Sequence, residues 1–227
     1  MQEIFEKYSE IIQSNELFKG IDESSLPAVL ENLKAVIKHY AKGEYIRMRG
    51  EAADFIGIVL EGEIHILQDD YYGSRSITAS VGAGSLFAEA FVCARVPQLM
   101  VDIAANSDCS VLFLSGAGIL ESHDVRNSYH DILIRNLLGI VARKNMYLNR
   151  KLRYAAQKTT AQKLLAYLND CAVSAGSNEF VIPFNRQALA DYLRVERSAM
   201  STEIGRLVKA GIIETNRNYF KLLKPDR

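Results

Sequence analysis

The chain has 227 residues, 48% of them hydrophobic and 24% charged, ordinary proportions for two modest globular domains rather than one large one. No uninterrupted apolar run approaches the ~20 residues of a membrane span. Residues 1–13 are acidic and mixed, without the basic-then-apolar order of a signal peptide, so a cytoplasmic location is expected. The net charge of zero conceals a division: residues 142–227 hold 16 Lys and Arg against 7 Asp and Glu, while residues 1–141 hold 11 against 20. The C-terminal part therefore carries the electrostatic footprint of something that meets a polyanion.

From about Leu17 to Ser115, short strands alternate with turn residues. Tyr45, Ile46 and Met48 lead into an Arg49-Gly50-Glu51 turn. Ile56, Ile58 and Leu60 alternate with smaller residues, Glu61-Gly62 turns the chain, and Ile64 and Ile66 continue it, which predicts a hairpin with one apolar face. Residues 69–74 read as a polar loop before a strand at 77–81. A last pair of strands, 101–104 and 110–114, is expected to be joined by Asn106-Ser107-Asp108. Many short strands at regular spacing predict a β-sandwich or barrel-like roll. Within it, Gly82-Ala83-Gly84-Ser85 followed by helix formers predicts a short helix whose open N-terminus presents N–H groups to an anion.

The period then changes. Residues 123–154 read as one long helix without Pro, with Gly139 its only weak point. Ile134, Leu138, Val141, Asn145, Leu148 and Leu152 step by four, three, four, three and four, the seam of a two-stranded coiled coil with polar Asn145 placed to fix register. Leu133, Leu137 and Ile140 form a neighbouring stripe suited to packing on the preceding domain. The alternative is a long core helix of a single domain. Residues 160–173 are amphipathic, with Leu164, Leu165 and Leu168 inward, and a short strand is expected at 180–184. Asn185 caps a short helix ending at Leu193. Arg194-Val195-Glu196 connects it to a second helix from Arg197, closed by Gly211. Strands at 212–214 and 219–222 then flank Thr215-Asn216-Arg217-Asn218, a hairpin or wing.

Two short helices on a tight connection followed by a hairpin describe a winged helix-turn-helix. In that geometry the second helix enters the major groove and its N-terminal residues meet base edges. Here these are Arg197, Ser198, Ser201 and Thr202: Arg binds guanine O6 and N7 in bidentate fashion, and Ser or Thr pairs with any base or with phosphate. Ile204, Leu207 and Val208 are expected on the packed face. Arg186, with Gln187 beside it, and Arg217 in the wing are placed to meet phosphate, and Arg206 completes the basic set. Taken singly, Arg197 and Arg206 read as snorkelling from a packed helix; together with the basic half they point to double-stranded DNA.

At this point a family is discernible. Leu17-Phe18-Lys19-Gly20-Ile21, Lys42-Gly43-Glu44-Tyr45-Ile46 and the stretch from Phe55 through Glu61-Gly62 to Ile64 resemble the CRP/FNR superfamily of bacterial regulators. The most specific match is Phe184-Asn185-Arg186-Gln187-Ala188-Leu189-Ala190-Asp191-Tyr192-Leu193 followed by Val195-Glu196-Arg197-Ser198-Ala199-Met200-Ser201. The resemblance covers nearly the whole chain. It implies an α+β fold: an N-terminal double-stranded β-roll (jelly-roll-like) of cyclic-nucleotide-binding type at 1–122, a long dimerisation helix at 123–155 and a C-terminal winged helix-turn-helix at 156–227. It also implies a homodimer on operator or promoter DNA that recruits or blocks RNA polymerase, with DNA affinity set by an effector in the roll.

The departures bear on the ligand. Members that bind cyclic AMP carry Gly-Glu in the short-helix cassette, the Glu on the ribose hydroxyl, and Arg-Ser about ten residues on, the Arg holding the phosphate. Here the cassette reads Ala88-Glu89, the later position reads Leu99-Met100, and Arg95, the nearest cation, sits too early. Gly84, Ser85, Ala88, Glu89, Arg95 and Leu99 are therefore candidate contacts for an effector other than cyclic AMP: another acid, an apolar metabolite, or none. Many relatives have Arg-Glu then Ser-Arg in the recognition helix where this chain has Arg197-Ser198 and Ser201-Thr202, which changes the expected half-site. No Cys precedes Cys93, so the clustered ligands of an iron–sulfur branch are missing. His39 and His65 are the candidates for a haem ligand, each set against an ordinary surface or core histidine. Cys93, inside the cassette, is a candidate redox or ligand contact.

Other classes have less support. The chain has no P-loop, H-E-x-x-H or G-x-S-x-G, and Gly82-Ala83-Gly84 lacks the third glycine of a dinucleotide fingerprint, so no enzyme is expected. Cys93, Cys109 and Cys171 are far apart without a C-x-x-C, which indicates reduced interior thiols rather than a metal site or disulfide framework. The remaining alternative is a ligand-binding or haem/redox-sensing module with weak or non-specific DNA binding.

Overall fold

In the computed structural model, the strand-rich N-terminal stretch closes into two four-stranded antiparallel sheets. The structure describes residues 2–69, 74–121 and 129–223, with side chains from Lys7 onward. The expected loop at 70–73 and the expected start of the long helix at 123–128 lie outside the described residues. The chain is made of two units, Met1–Arg143 and Lys144–Arg227.

The first unit runs α1 (Gln2–Gln13), α2 (Leu26–Asn32), β1 (Val36–Tyr40), β2 (Tyr45–Arg47), β3 (Phe55–Glu61), β4 (Glu63–Asp69), β5 (Arg75–Gly82), β6 (Leu86–Phe87), α3 (Glu89–Cys93), β7 (Asp102–Ala105), β8 (Cys109–Ser115), α4 (Gly116–Leu120) and the start of α5 (His130–Ala155). One sheet has the order β1-β8-β3-β6 and the other β2-β7-β4-β5. Every residue of β3 before Glu61 is buried. Ile56, Ile58 and Leu60, with Leu112 and Leu114 of β8, share a core with Leu30, Leu133 and Leu137 from the helices. Phe55 and Val59, with Val111 and Phe113, face the second sheet and share its core of Ile46, Ile64 and Ile103. Because both faces are covered, β3 reads as a continuous apolar run, not as the half-exposed strand expected from Ile56, Ile58 and Leu60.

Two expected hairpins are corrected. β3 and β4 do not pair: β3 bonds to β6 and β8, and β4 to β5 and β7. Gly62 (φ +81°) instead carries the chain from one sheet to the other, at a point where a Cβ would lie 2.3 Å from the Asp108 carbonyl oxygen. Likewise β7 and β8 belong to different sheets, and Asn106-Ser107-Asp108 is a second crossing. The two crossings brace each other: the Asn106 amide donates to the Glu63 carbonyl at 2.9 Å, and the Glu63 amide donates to Ser107 Oγ at 3.0 Å. Local turn chemistry reports that the chain bends; which strands then pair is set by non-local burial.

The second unit continues α5 and adds α6 (Thr160–Ala175), β9 (Glu179–Val181), α7 (Arg186–Leu193), α8 (Arg197–Lys209), β10 (Ile213–Asn216) and β11 (Tyr219–Leu222), with strand order β10-β11-β9. α6 starts on a capping box between Thr159 and Gln162 and stops at Gly176 in the left-handed region. The strand expected at 180–184 ends earlier, before Pro183, which has no N–H for the ladder. Leu164, Leu168, Leu189, Met200, Ile204, Leu207 and Phe220 form the core. The rings of Tyr154, Tyr167 and Tyr192, 5.6–6.1 Å apart, fix the last turn of α5 to α6 and α7.

On α5, Leu133, Leu137 and Ile140 are buried in the first unit's core, as the stripe beside the seam was expected to be. Along the seam itself, Ile134 and Val141 pack partly against that core. Leu138, Leu148 and Leu152 are 67%, 56% and 66% exposed, and Asn145 is exposed and accepts a bond from Asn149 at 2.8 Å.

Two close contacts generate tests. On the β3–β6 pair, Gly57 stands opposite Phe87, and a Cβ at Gly57 would lie 2.1 Å from the Phe87 ring. That ring in turn meets Phe55 and Phe113 edge-on, with centroids at 6.1 and 6.4 Å. Gly57→Ala is therefore expected to overpack this core and lower unfolding free energy by about 1–3 kcal/mol, read from urea denaturation. The second contact ties α1 to the roll: Tyr8 Oη lies 3.0 Å from Glu61 Oε2 and 2.8 Å from the buried Ser110 Oγ, which also meets His39 Nδ1 at 2.8 Å. Hydrogen bonds from Lys7 and Tyr8 and the Lys7 charge hold the Glu61 carboxyl below its usual 4.5. A depressed folded-state value gives stability that is fully present above the unfolded value and disappears as pH falls through the folded one. Glu61→Gln should accordingly lower the urea midpoint at pH 7, and the gap from the parent should close as pH is taken below 4.5; a gap of constant size would refute the linkage.

Candidate nucleic-acid interface and effector cassette

Backbone chemistry sets the geometry of α7 and α8. Asn185 caps α7 by accepting from the Ala188 amide at 2.9 Å. The chain leaves α7 through Arg194, a left-handed residue (φ +51°), and the Val195 amide bonds back to the Ala190 carbonyl at 3.0 Å. Glu196 then caps α8: its carboxylate accepts from the Ala199 amide at 3.0 Å and from the Ser198 hydroxyl. These bonds, the Ser198 hydroxyl first, hold the Glu196 carboxyl below its ordinary range.

Met200, Ile204 and Leu207 anchor α8 in the core at 0%, 6% and 2% exposure. This corrects the expected inner face: Val208 is 42% exposed, and the apolar step of four then three starts one turn earlier, at Met200. Arg197, Ser198, Ser201, Thr202 and Arg206 are all exposed. The Thr202 hydroxyl donates to the Ser198 carbonyl at 3.0 Å, which leaves its oxygen free to accept. Arg206 pairs with Glu203 at 3.0 Å but is 66% exposed in its side chain, so the pair is weak and easily exchanged. Gln187 is exposed and donates to Asp191 at 2.9 Å. Arg217 is exposed at the tip of the β10–β11 wing, with φ +53°.

Arg186 is placed differently from expectation. Its guanidinium carbon lies 4.9 Å from the centre of the Phe220 ring, and Nη2 donates to Thr215 Oγ1 at 3.1 Å. Burial lowers its pKa. It staples α7 to the wing instead of reaching outward to phosphate. Lys209 was missed: Ser198, Thr202, Gly205 and Lys209 step by four, three and four along the exposed side, a spacing that sequence alone displays.

The cassette also differs from expectation. The Gly84 amide donates to the Val59 carbonyl at 2.8 Å and the Ser85 amide to the Gly82 carbonyl at 3.1 Å, so these N–H groups are consumed within the fold. Asn15, itself buried, donates to the Gly84 carbonyl at 2.9 Å. α3 follows an N-cap at Ala88 (φ +64°) with no side-chain cap and lasts five residues. Glu89 is 5% exposed and Leu99 is 1% exposed. Ala88 and Leu99 share the apolar core between the sheets, while Arg95 is exposed past the end of α3. The six expected residues thus divide among the fold's interior, its loop and its surface. Cys93 is exposed at the end of α3, not interior as expected; partial desolvation, then the Glu89 charge, raises its thiol, which weakens a thiolate role. His39 is engaged with Ser110, and His65 lies 3.5 Å from Glu63. Among the described residues no group of three or more His, Cys, Asp or Glu is placed to hold a metal.

Residues 37–123 match the family model of the cyclic nucleotide-binding domain and residues 162–227 that of the Crp-like helix-turn-helix domain. Among solved structures, the chain is similar to DNR from Pseudomonas aeruginosa (21% identity, TM-score 0.51, covering 96% of this chain and 94% of that one). It is also similar to the catabolite activator protein of Thermus thermophilus (18% identity, TM-score 0.51, covering 92% and 94%). At these identities the likeness is one of fold. A potassium channel of Oryza sativa subsp. japonica is 23% identical over 128 residues, 56% of this chain; the chain spans about 15% of that relative's length.

The inward guanidinium gives a test. Arg186→Ala should lower the stability of the second unit by about 1–2 kcal/mol through lost packing, hydrogen bond and ring contact, whereas Arg217→Ala should stay within ~0.5 kcal/mol. Equal effects in urea denaturation would return Arg186 to the surface.

Proposed function

Since the chain belongs to the CRP/FNR superfamily of bacterial regulators, we propose that this particular member is a homodimeric, sequence-specific DNA-binding regulator whose DNA affinity is set by an effector other than cyclic AMP. The observation that carries the reading is α8: three apolar side chains fix its back, and its exposed face opens with Arg197, Ser198, Ser201 and Thr202 in the half of the chain that is strongly basic. Arg197 reads a base edge and the hydroxyls adapt to bases or phosphate. Gln187, Arg206, Lys209 and Arg217 hold the backbone, and Arg186 positions the wing that carries Arg217.

Leu138, Leu148 and Leu152, with Ile134, Val141 and Asn145, supply the dimer seam. Solvent-facing leucines at coiled-coil spacing are better hidden against a second copy than left in water. A two-fold dimer presents its reading helices to half-sites about one helical turn, ~34 Å, apart. Effector binding shifts the population between arrangements of the two reading helices, and the DNA-bound dimer acts on RNA polymerase. The chain works in the cytoplasm and catalyses no reaction. Cyclic AMP is not the effector, because the place of the phosphate-holding cation is taken by Leu99, buried among apolar side chains.

The decisive experiment is fluorescence anisotropy of the full chain on its own upstream DNA across a salt series. Affinity is expected to fall steeply and linearly in log–log form. Arg197→Ala should cost about 1–3 kcal/mol and relax specificity, and Arg217→Ala should reduce the salt slope by about 1. Cyclic AMP should change nothing. A flat salt response would instead favour a helix-turn-helix retained for protein contact, and rescue of weak binding by cyclic AMP would overturn the reading of Leu99. Light scattering that finds a monomer at micromolar concentration would remove the dimer.

A further inference from the structure

A crevice of about 430 Å³ lies in the first unit between α5 and the turn that follows α1, lined by Glu16, Lys19, Arg135, Asn136, Gly139 and Arg143. From its lining we infer a binding site for a phosphate-type dianion, inorganic phosphate or the phosphomonoester of a small metabolite, separate from the roll cassette and from the DNA-reading helix.

Charge is the first argument. Three cations share one carboxylate: Glu16 Oε2 pairs with Arg143 Nη2 at 2.6 Å, and among the described residues neither Lys19 nor Arg135 meets an acid. The crevice also stands against its background. Residues 1–141 hold 11 Lys and Arg against 20 Asp and Glu, so a net +2 lining here is a local reversal of sign, not part of the basic face proposed for DNA. A phosphomonoester carries about −1.5 to −2 at neutral pH and neutralises that lining with Glu16 left in place.

The second argument is how the crevice is built. Arg135, Gly139 and Arg143 succeed one another every fourth residue, on one face of α5. Helical side chains lean toward the N-terminus, which directs Arg143 back along the helix. Its guanidinium comes to lie over Gly139, where a Cβ would be 3.2 Å from Nη1. The glycine that weakens the long helix thus leaves room for the Arg143 guanidinium against α5, and Arg135, Gly139 and Arg143 line the same crevice. Asn136 secures the opposite wall: its Nδ2 donates to the carbonyls of Leu17 and Lys19 at 2.9 and 2.8 Å. Arg presents a planar fork suited to phosphate oxygens, and two forks with a Lys nearby can share one such anion.

The test is calorimetric titration of the full chain in a phosphate-free buffer of low ionic strength, with inorganic phosphate in one arm and glycerol 3-phosphate in the other. Because it does not pass through DNA affinity, its failure would leave the regulator reading untouched. Saturable binding is expected in at least one arm, the tighter arm naming the source. Arg135→Gln and Arg143→Gln should each weaken it at least about tenfold, one guanidinium–phosphate contact being worth about 1.4 kcal/mol or more. Glu16→Gln should tighten it, a direction that misfolding does not produce, and Arg95→Gln, an exposed arginine outside the crevice, should leave it unchanged. Binding should also weaken between about pH 7.5 and 5.5 as the dianion takes up a proton and becomes a monoanion. No saturation in either arm at 10 mM (~2.7 kcal/mol), or binding indifferent to both arginine substitutions, overturns the proposal.

Discussion

The sheet β1-β8-β3-β6 lies between a layer of helices and a second sheet, and its double burial determines where the rest of the first unit can go. Alternate residues of β3 and β8 enter two separate cores, one with Leu133 and Leu137 of α5 and one with Ile64 and Ile103 of the second sheet. Hydrophobic burial on both faces, at roughly 25 cal/mol per Å² of apolar surface, outweighs what a local hairpin would gain from adjacent pairing. The chain therefore crosses between sheets at Gly62 and again after Ala105. The same burial holds the first half of α5 in a fixed rotation, so that Leu138 is turned to solvent once Leu137 is turned inward.

In the second unit the corresponding constraint is smaller and more local. Three side chains of α8 enter a core shared with α6, α7 and the strands, and the direction of every exposed residue on that helix follows from them. The Tyr154, Tyr167 and Tyr192 rings extend this core to the end of α5.

This difference in range explains what the sequence made readable. The helix-turn-helix is specified by neighbours: Asn185 three residues before its amide partner, Glu196 likewise, and a left-handed Arg194 between them. Such signals lie within one window of sequence, and the elements from Thr160 onward fall close to where they are expected. The sandwich is specified by pairings such as Val36 with Phe113 and Ile58 with Leu112, which no local window contains, so strands were legible but their partners were not. The inner face of α8 was misplaced by one step because Met200, flexible and weakly patterned, passes for a surface residue beside serines. Arg186 was misread because nothing in the sequence places Phe220 and Thr215 beneath it.

The cassette shows why family likeness and ligand chemistry can part. Accepting a phosphate into the roll requires a cation or a set of spare amides, since an uncompensated charge costs several kcal/mol to bury. Leu99 supplies no charge, and the amides of Gly84 and Ser85 are already bonded inside the fold. Arg47, the cation nearest the aromatic core, spreads its guanidinium over Phe55 and Phe113 at 5.0 and 4.9 Å, where its charge faces ring π-electrons instead of a phosphate. Among the cassette residues, then, the interior of the roll offers a phosphate neither a cation nor a spare Gly84 or Ser85 amide.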